Sequence, residues 1–162
     1  MPQRHQLYLD TNAAILLVEG EGRLRDLMRN LISKASSRPG AILSTSALTI
    51  SELLVKPLRH NDTRLIEVYR AWGSGLTWLE IVPVSNGILD IAALWRARRT
   101  GLKLPDAIHV ASALSIGTTH FLTDDQGISN SVANTSSEEP AFFEVCRLDV
   151  PSLTSLIESL SA

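Results

Sequence analysis

Apolar and polar positions along the chain switch repeatedly between period 2 and period 3.6, which outlines alternating strands and helices. Gln6 to Leu9 reads as a short strand, followed by a helix over Ala13 to Val18 that Thr11 or Asn12 can cap. Glu19-Gly20-Glu21-Gly22 interrupts it, and Arg23 to Lys34 resumes a helix with Leu24, Leu27, Met28 and Leu31 on one stripe. Ala41 to Leu43 reads as a second strand. Ser44, Thr45 or Ser46 then caps a helix to about Val55, which Pro57 is expected to end. Asn61-Asp62-Thr63 caps the next helix, to about Trp72. Leu76 to Val84 is the third predicted strand, and Ser85 or Asn86 opens a helix to Thr100 that Gly101 stops.

The stretch from Leu102 to Asp125 organises the rest. Leu104-Pro105 turns into a helix whose first turn holds Asp106, where free amide N–H groups and the helix dipole favour a carboxylate. Ile108, Ala111 and Leu114 or Ser115 carry the helical period to Gly117. Thr119 to Thr123 is β-branched and aromatic, a buried strand that ends in Asp124 and Asp125. Gln126 to Pro140 is polar and reads as a loop, Phe142 to Leu148 as a last strand. From Pro151 a helix places Leu153, Leu156, Ile157 and Leu160 on a stripe expected to dock on the domain. With no repeat and no composition break, residues 1–162 are expected to form one α/β domain with a mostly parallel sheet.

Composition narrows the classes. No apolar run is long enough to span a bilayer, and Asp10 interrupts any signal-like apolar stretch at the amino terminus, so a cytoplasmic protein without membrane contact is expected. The one cysteine, Cys146, is expected to be a small buried residue in a reducing compartment. The formal charge of −2 speaks against a nucleic-acid partner only until four acids are set aside as ligands of a cation. The 15 basic residues then face 17 − 4 = 13 other acids, a balance of +2. Arg96, Arg98, Arg99 and Lys103 crowd the approach to Asp106, and Arg23, Arg25, Arg29, Lys34 and Arg38 form a second basic stretch. Either could be a solvated helix face.

Three strand ends or helix starts carry Asp10, Asp106 and the pair Asp124 and Asp125, and Glu52 projects from the helix after the second strand. Each acid alone reads most simply as a cap or a surface residue. Together at one sheet edge they would repel one another strongly unless a cation sat among them. Oxygen donors, with no His or Cys at zinc spacing, suit Mg²⁺ or Mn²⁺. His109 follows Asp106 by one turn and reads as a packed helix-face histidine, with acid–base chemistry as the alternative. Gly73-Ser74-Gly75 lacks the Gly-Lys-Ser/Thr of a phosphate loop, and no serine lies in a nucleophile-elbow context.

The series LYLDTN, ISELL, GLKLPDAIHVASAL and HFLTDDQGI resembles the PIN-domain nucleases, in particular the small VapC-type toxins of toxin–antitoxin pairs. Nearly the whole chain takes part. The resemblance implies a three-layer α/β/α sandwich with a mostly parallel central sheet and Mg²⁺- or Mn²⁺-dependent endoribonuclease activity leaving a 5′-phosphate and a 3′-hydroxyl. It also implies frequent homodimers and a small antitoxin protein as partner. It assigns the acids to Asp10, Glu52, Asp106 and Asp125, with Asp124 in a variable position as a backup ligand, and gives Thr11, Asn12 and Thr123 supporting roles. Ile128 stands where the family commonly has Phe, and the polar loop after it is longer than in the compact toxins.

Two rival readings remain at this level. A PIN-like module could bind RNA or protein without cutting, although such a module has no need of four repelling acids. A phosphatase with an aspartyl nucleophile would want a second acid two residues after Asp10, where Asn12 stands.

Overall fold

In a computed structural model, which describes residues 5–129 and 143–162, five parallel strands form one sheet in the order β3-β2-β1-β4-β5. The strands are β1 (His5–Leu9), β2 (Ala41–Ser46), β3 (Glu80–Val82), β4 (His120–Leu122) and β5 (Glu144–Cys146). The helices are α1 (Thr11–Glu19), α2 (Gly22–Ser37), α3 (Ala47–His60), α4 (Thr63–Gly73), α5 (Asn86–Arg98), α6 (Leu104–Ser115) and α7 (Val150–Ser159).

Strand β1 sits at the centre because it is apolar on both faces: Leu7, Tyr8 and Leu9 are all fully buried. Its alternation divides the core in two. Leu7 and Leu9 point into a layer filled by α1, α2, α3, α4 and α7, including Met28, Leu31, Leu53, Tyr69 and Leu153. Tyr8 points the other way, into a layer built by α5 and α6. There Tyr8 stacks on Phe121, and Phe121 on Phe143, with ring centroids 4.9 Å apart in both pairs. Helix α6 is buried on all sides from Ala107 to Ala113, and its small residues let it lie close against the sheet.

The order of the strands creates one topological switch point. The chain moves outward from β1 through β2 to β3, then crosses to the other face through α5 and α6 and returns as β4 on the opposite side of β1. Parallel neighbours whose connections leave in opposite directions open a crevice at their carboxyl ends, where ligands of open α/β sheets bind. Here that crevice lies between Leu9 and Leu122, which are register partners. Asp10 and Thr123 are the next residues on each side.

Several expectations need correction. Helix α3 passes through Pro57 to His60: Pro57 is buried, and the helix stops instead at Asn61, whose φ of 52° breaks the helical path. Strand β2 runs on to Ser46, because the hydroxyls of Ser44 and Thr45 donate to the carbonyls of Leu7 and Leu9 and so can be buried. Strand β3 is only three residues long, and Leu76 and Leu79 pair in a separate tight bridge before it. Helix α5 ends at Arg98. The helix after β1 is capped by Asp10, ahead of Thr11 and Asn12. The final helix docks as expected, with Leu153, Leu156, Ile157 and Leu160 buried. Cys146 is buried too, and burial, with Asp149 and Glu144 nearby, pushes its thiol up to about 12. The loop reading from residue 130 and the start of the last strand at Phe142 lie outside the described residues.

Phe121 joins two aromatic neighbours at the middle of the sheet, so Phe121→Ala should cost about 3–5 kcal/mol through lost transfer energy and a residual cavity. Urea unfolding of the variant checks this. A loss below about 1 kcal/mol would mean that the aromatic ladder is not a structural unit.

Candidate active site at the switch point

Asp10 is 4 % exposed, the least exposed of the candidate acids. Its Oδ1 accepts from the Ala13 amide at 3.0 Å, which caps α1, and Thr123 Oγ1 donates to its Oδ2 across the ends of β1 and β4. Burial raises its pKa to about 6, against the pull of Thr123, the Ala13 and Asn12 amides and the nearby His109. Thus Thr123 supports Asp10 through its side chain and Asn12 through its backbone N–H.

Thr123 also accepts from the Asp125 amide at 2.9 Å, so one hydroxyl fixes both Asp10 and the turn that carries Asp125. The Asp125 Oδ1 accepts from Gly127 N at 2.8 Å, and Arg147 clamps the same turn by donating to the carbonyls of Asp125 and Ile128 at 2.7 and 2.6 Å. Ile128 is buried below it in the aromatic layer. Asp124 turns away: its Oδ1 accepts from Leu148 N at 3.1 Å and joins the exit of β4 to that of β5.

Asp106 rises from the first turn of α6 and meets Asp125. Its pKa is raised, first by burial and then by the Asp125 charge and a hydrogen bond shared with Asp125, against weaker lowering by His109 and Lys103. Two carboxyls in such contact share a proton or require a cation.

Glu52 is held differently. Its Oε2 accepts from Thr11 Oγ1 and lies 2.9 Å from His109 Nε2. Burial would raise its pKa, but the bonds from His109 and Thr11 prevail and hold it below the ordinary value. His109 in turn has its Nδ1 2.8 Å from the Tyr8 hydroxyl. With Tyr8 donating to Nδ1, the Nε2–H is the one that points at Glu52. The packing expected of His109 is therefore present, but its partners are the side chains of Tyr8 and Glu52. The three-residue spacing from Asp106 to His109, which puts both on one face of α6, was the available signal.

The structure thus pairs Asp106 with Asp125, secures Asp10 through Thr123 and sets Glu52 on His109. His109 stands near enough to act electrostatically on Asp10, Glu52 and Asp106 alike. Among the described residues, no three acidic, histidine or cysteine side chains are grouped closely enough to hold a metal ion among them. A cleft of about 460 Å³ opens beside Asp106 and Gly127, lined also by Arg98, Arg99 and Leu102.

Because the folded pKa of Asp10 lies above its ordinary 3.8, the metal-free folded state binds this proton more tightly than the unfolded chain. Its contribution is complete below about pH 4 and is lost as pH rises through 6, a change of about 3 kcal/mol. In a chelator, Asp10→Asn should therefore exceed wild type in stability by about 1–3 kcal/mol at pH 7 and match it near pH 4. Equal urea midpoints at pH 7 would contradict this origin of the shift. His109→Leu deprives both Tyr8 and Glu52 of a partner and should cost about 1–3 kcal/mol in the same assay. An unchanged midpoint would show the two bonds to be dispensable.

Among curated proteins none matches this chain in sequence. Its fold is shared by solved structures. A chain of a toxin–antitoxin complex from Klebsiella pneumoniae is 24% identical, with a TM-score of 0.54 over 74% of this chain and 86% of that one. VapC20 of Mycobacterium tuberculosis, described as a sarcin–ricin loop cleaving toxin, is 18% identical at a TM-score of 0.61, covering 74% and 90%. DNA-bound VapBC from Salmonella typhimurium gives 18% identity and a TM-score of 0.62 over 90% and 99%. The PIN domain model matches residues 7–132, from the centre of β1 past the turn that presents Asp125. A match of that extent, over a parallel sheet of this order, means that the chain belongs to the PIN-domain family.

Proposed function

We propose that this protein is a metal-dependent endoribonuclease that hydrolyses RNA phosphodiester bonds, as the toxin of a toxin–antitoxin pair. The observation that carries the reading is the contact between Asp106 and Asp125 at the switch point, beside a buried Asp10 whose pKa is also raised. Nothing in the fold itself needs two carboxylates pressed together there. A cation between them removes the repulsion, and oxygen donors of this kind suit Mg²⁺ or Mn²⁺, which keep several waters and need only one or two protein carboxylates. That requirement is compatible with a pair, so the absence of a tighter cluster among the described residues is no obstacle.

In this reading Asp106 and Asp125 hold the ion, with Asp10 and Glu52 joining directly or through water. When bound, the ion lowers the pKa of a water and neutralises charge developing on the phosphoryl oxygens. The chain's part is to prepare the ligands. Thr123 orients Asp10 and Asp125 together, Thr11 and His109 keep Glu52 ionised, and Arg147 keeps the Asp125 turn in place. No side chain needs to act alone as general base.

The partner is proposed to be a small antitoxin, as in the complexes from Klebsiella pneumoniae and Salmonella typhimurium, and a homodimer is the proposed assembly. Ile15 of α1 and Val55 and Leu58 of α3, two helices in contact, leave apolar side chains in solvent and support a protein-binding face. No helix among the described residues is long and apolar enough to cross a membrane; the cytoplasm, where a toxin would meet cellular RNA, is the proposed location.

Purified protein incubated with single-stranded and structured RNA should cleave with Mg²⁺ or Mn²⁺ and stop in a chelator. Asp10→Asn and Asp106→Asn should each lower the rate at least roughly a hundredfold while the fold is retained. Wild-type rates in both variants would place the chemistry elsewhere. Metal-independent RNA binding without cleavage would favour the binding module.

A further inference from the structure

The cleft beside the acids has two chemically different ends. Asp106 and Gly127, next to Asp125, line one, and Arg98, Arg99, Thr100, Gly101 and Leu102 line the other. These latter residues form the connection between α5 and α6, and Lys103, which follows them, lies close enough to Asp106 to act on its charge. Arg98 and Lys103 are exposed, and Lys103 occupies the cap position of α6 without a side-chain capping bond, so neither is needed to hold the connection. That task falls to the backbone and to Arg96: Leu102 N donates to Arg99 O at 3.1 Å, and Arg96 Nε donates to Leu102 O at 3.3 Å. The cationic end is thus built on a fixed turn, while two of its charges remain available.

From this we infer that the α5–α6 connection is a phosphate-binding subsite, in which Arg98 and Lys103 hold backbone phosphates of a single-stranded RNA flanking the phosphodiester at the acids. The inference rests on the nuclease reading and adds to it where the substrate's neighbouring phosphates lie. With four acids engaged on a cation the rest of the chain carries a balance of only +2, so attraction for a polyanion beside the site is local. Contacts to phosphate oxygens carry no sequence information, so a subsite of this kind positions the strand and contributes nothing to sequence choice. The second basic stretch is differently placed: Arg29 is exposed on α2, on the opposite face of the sheet, while Lys34 donates to Ser161 Oγ at 2.5 Å and Arg38 to the Leu160 carbonyl.

The test measures binding separately from cleavage. A labelled single-stranded oligoribonucleotide is titrated against Asp10→Asn protein, and against the same protein carrying Arg98→Ala and Lys103→Ala, over a series of salt concentrations. Loss of two phosphate contacts should reduce the slope of log affinity against log salt by about 1.4 and weaken binding roughly 25-fold at about 0.1 M salt, equally for unrelated sequences. Arg29→Ala should leave both unchanged, and thermal melts should show all variants folded. In the wild-type background the double variant should raise KM with kcat retained. An unchanged slope and affinity overturn the subsite, as does absence of RNA binding by the Asp10→Asn parent. Whether the nuclease reading itself stands is read independently from metal-dependent cleavage by wild type.

Discussion

One hydroxyl group ties the site together. Thr123, the first residue beyond β4, donates to the Asp10 carboxylate beyond β1 and accepts from the amide of Asp125, so two neighbouring strand ends and two acids share a single anchor. The arrangement depends on register. Leu9 and Leu122 must pair for the residues after them to meet, and a shift of one position would turn Tyr8 and Phe121 out of their common layer. The packing of the sheet and the geometry of the acids are therefore one constraint, imposed by the apolar faces of β1 and β4.

Around that anchor the protein assigns different environments to chemically similar groups. Asp10 is buried and held neutral more readily than usual, whereas Glu52, with His109 and Thr11 as donors, stays ionised. Asp106 is opposed by Asp125. Asp124, adjacent in sequence to Asp125, is spent on a backbone bond to Leu148. A non-catalytic module would gain stability by losing Asp10 or Asp106, whose charges burial disfavours, which is the physical argument for reading them as ligands in waiting. Strain of this kind is what functional sites store and the surrounding core offsets.

Much of the architecture is legible in the order of residues. Short apolar runs alternating with helical stripes predicted an α/β unit with a mostly parallel sheet, the family resemblance implied its three-layer sandwich, and the positions of Asp10, Asp106 and Asp125 at strand ends or a helix start are where the fold has them. Errors arose where local rules met burial. Pro57 carries a strong stop signal, yet packing in the core carried the helix one turn further. Of the capping candidates Ser44, Thr45 and Ser46, the last does cap α3, but the other two hydroxyls bond the carbonyls of β1 and lengthen β2 beyond Leu43.

By itself, then, the order of residues determined which segments become strands and helices, which acids sit at their ends and, through the motif series, the family. Those properties follow from neighbours a few positions apart. Tertiary structure alone decided which carboxylates touch, that Tyr8 and Glu52 share His109, that Arg147 secures the Asp125 turn, and that the α5–α6 connection opens beside Asp106. The first three join groups far apart in the chain, and the cleft needs the distant Gly127 turn as its other wall; such distances are set by how helices and strands pack, a quantity no local pattern encodes.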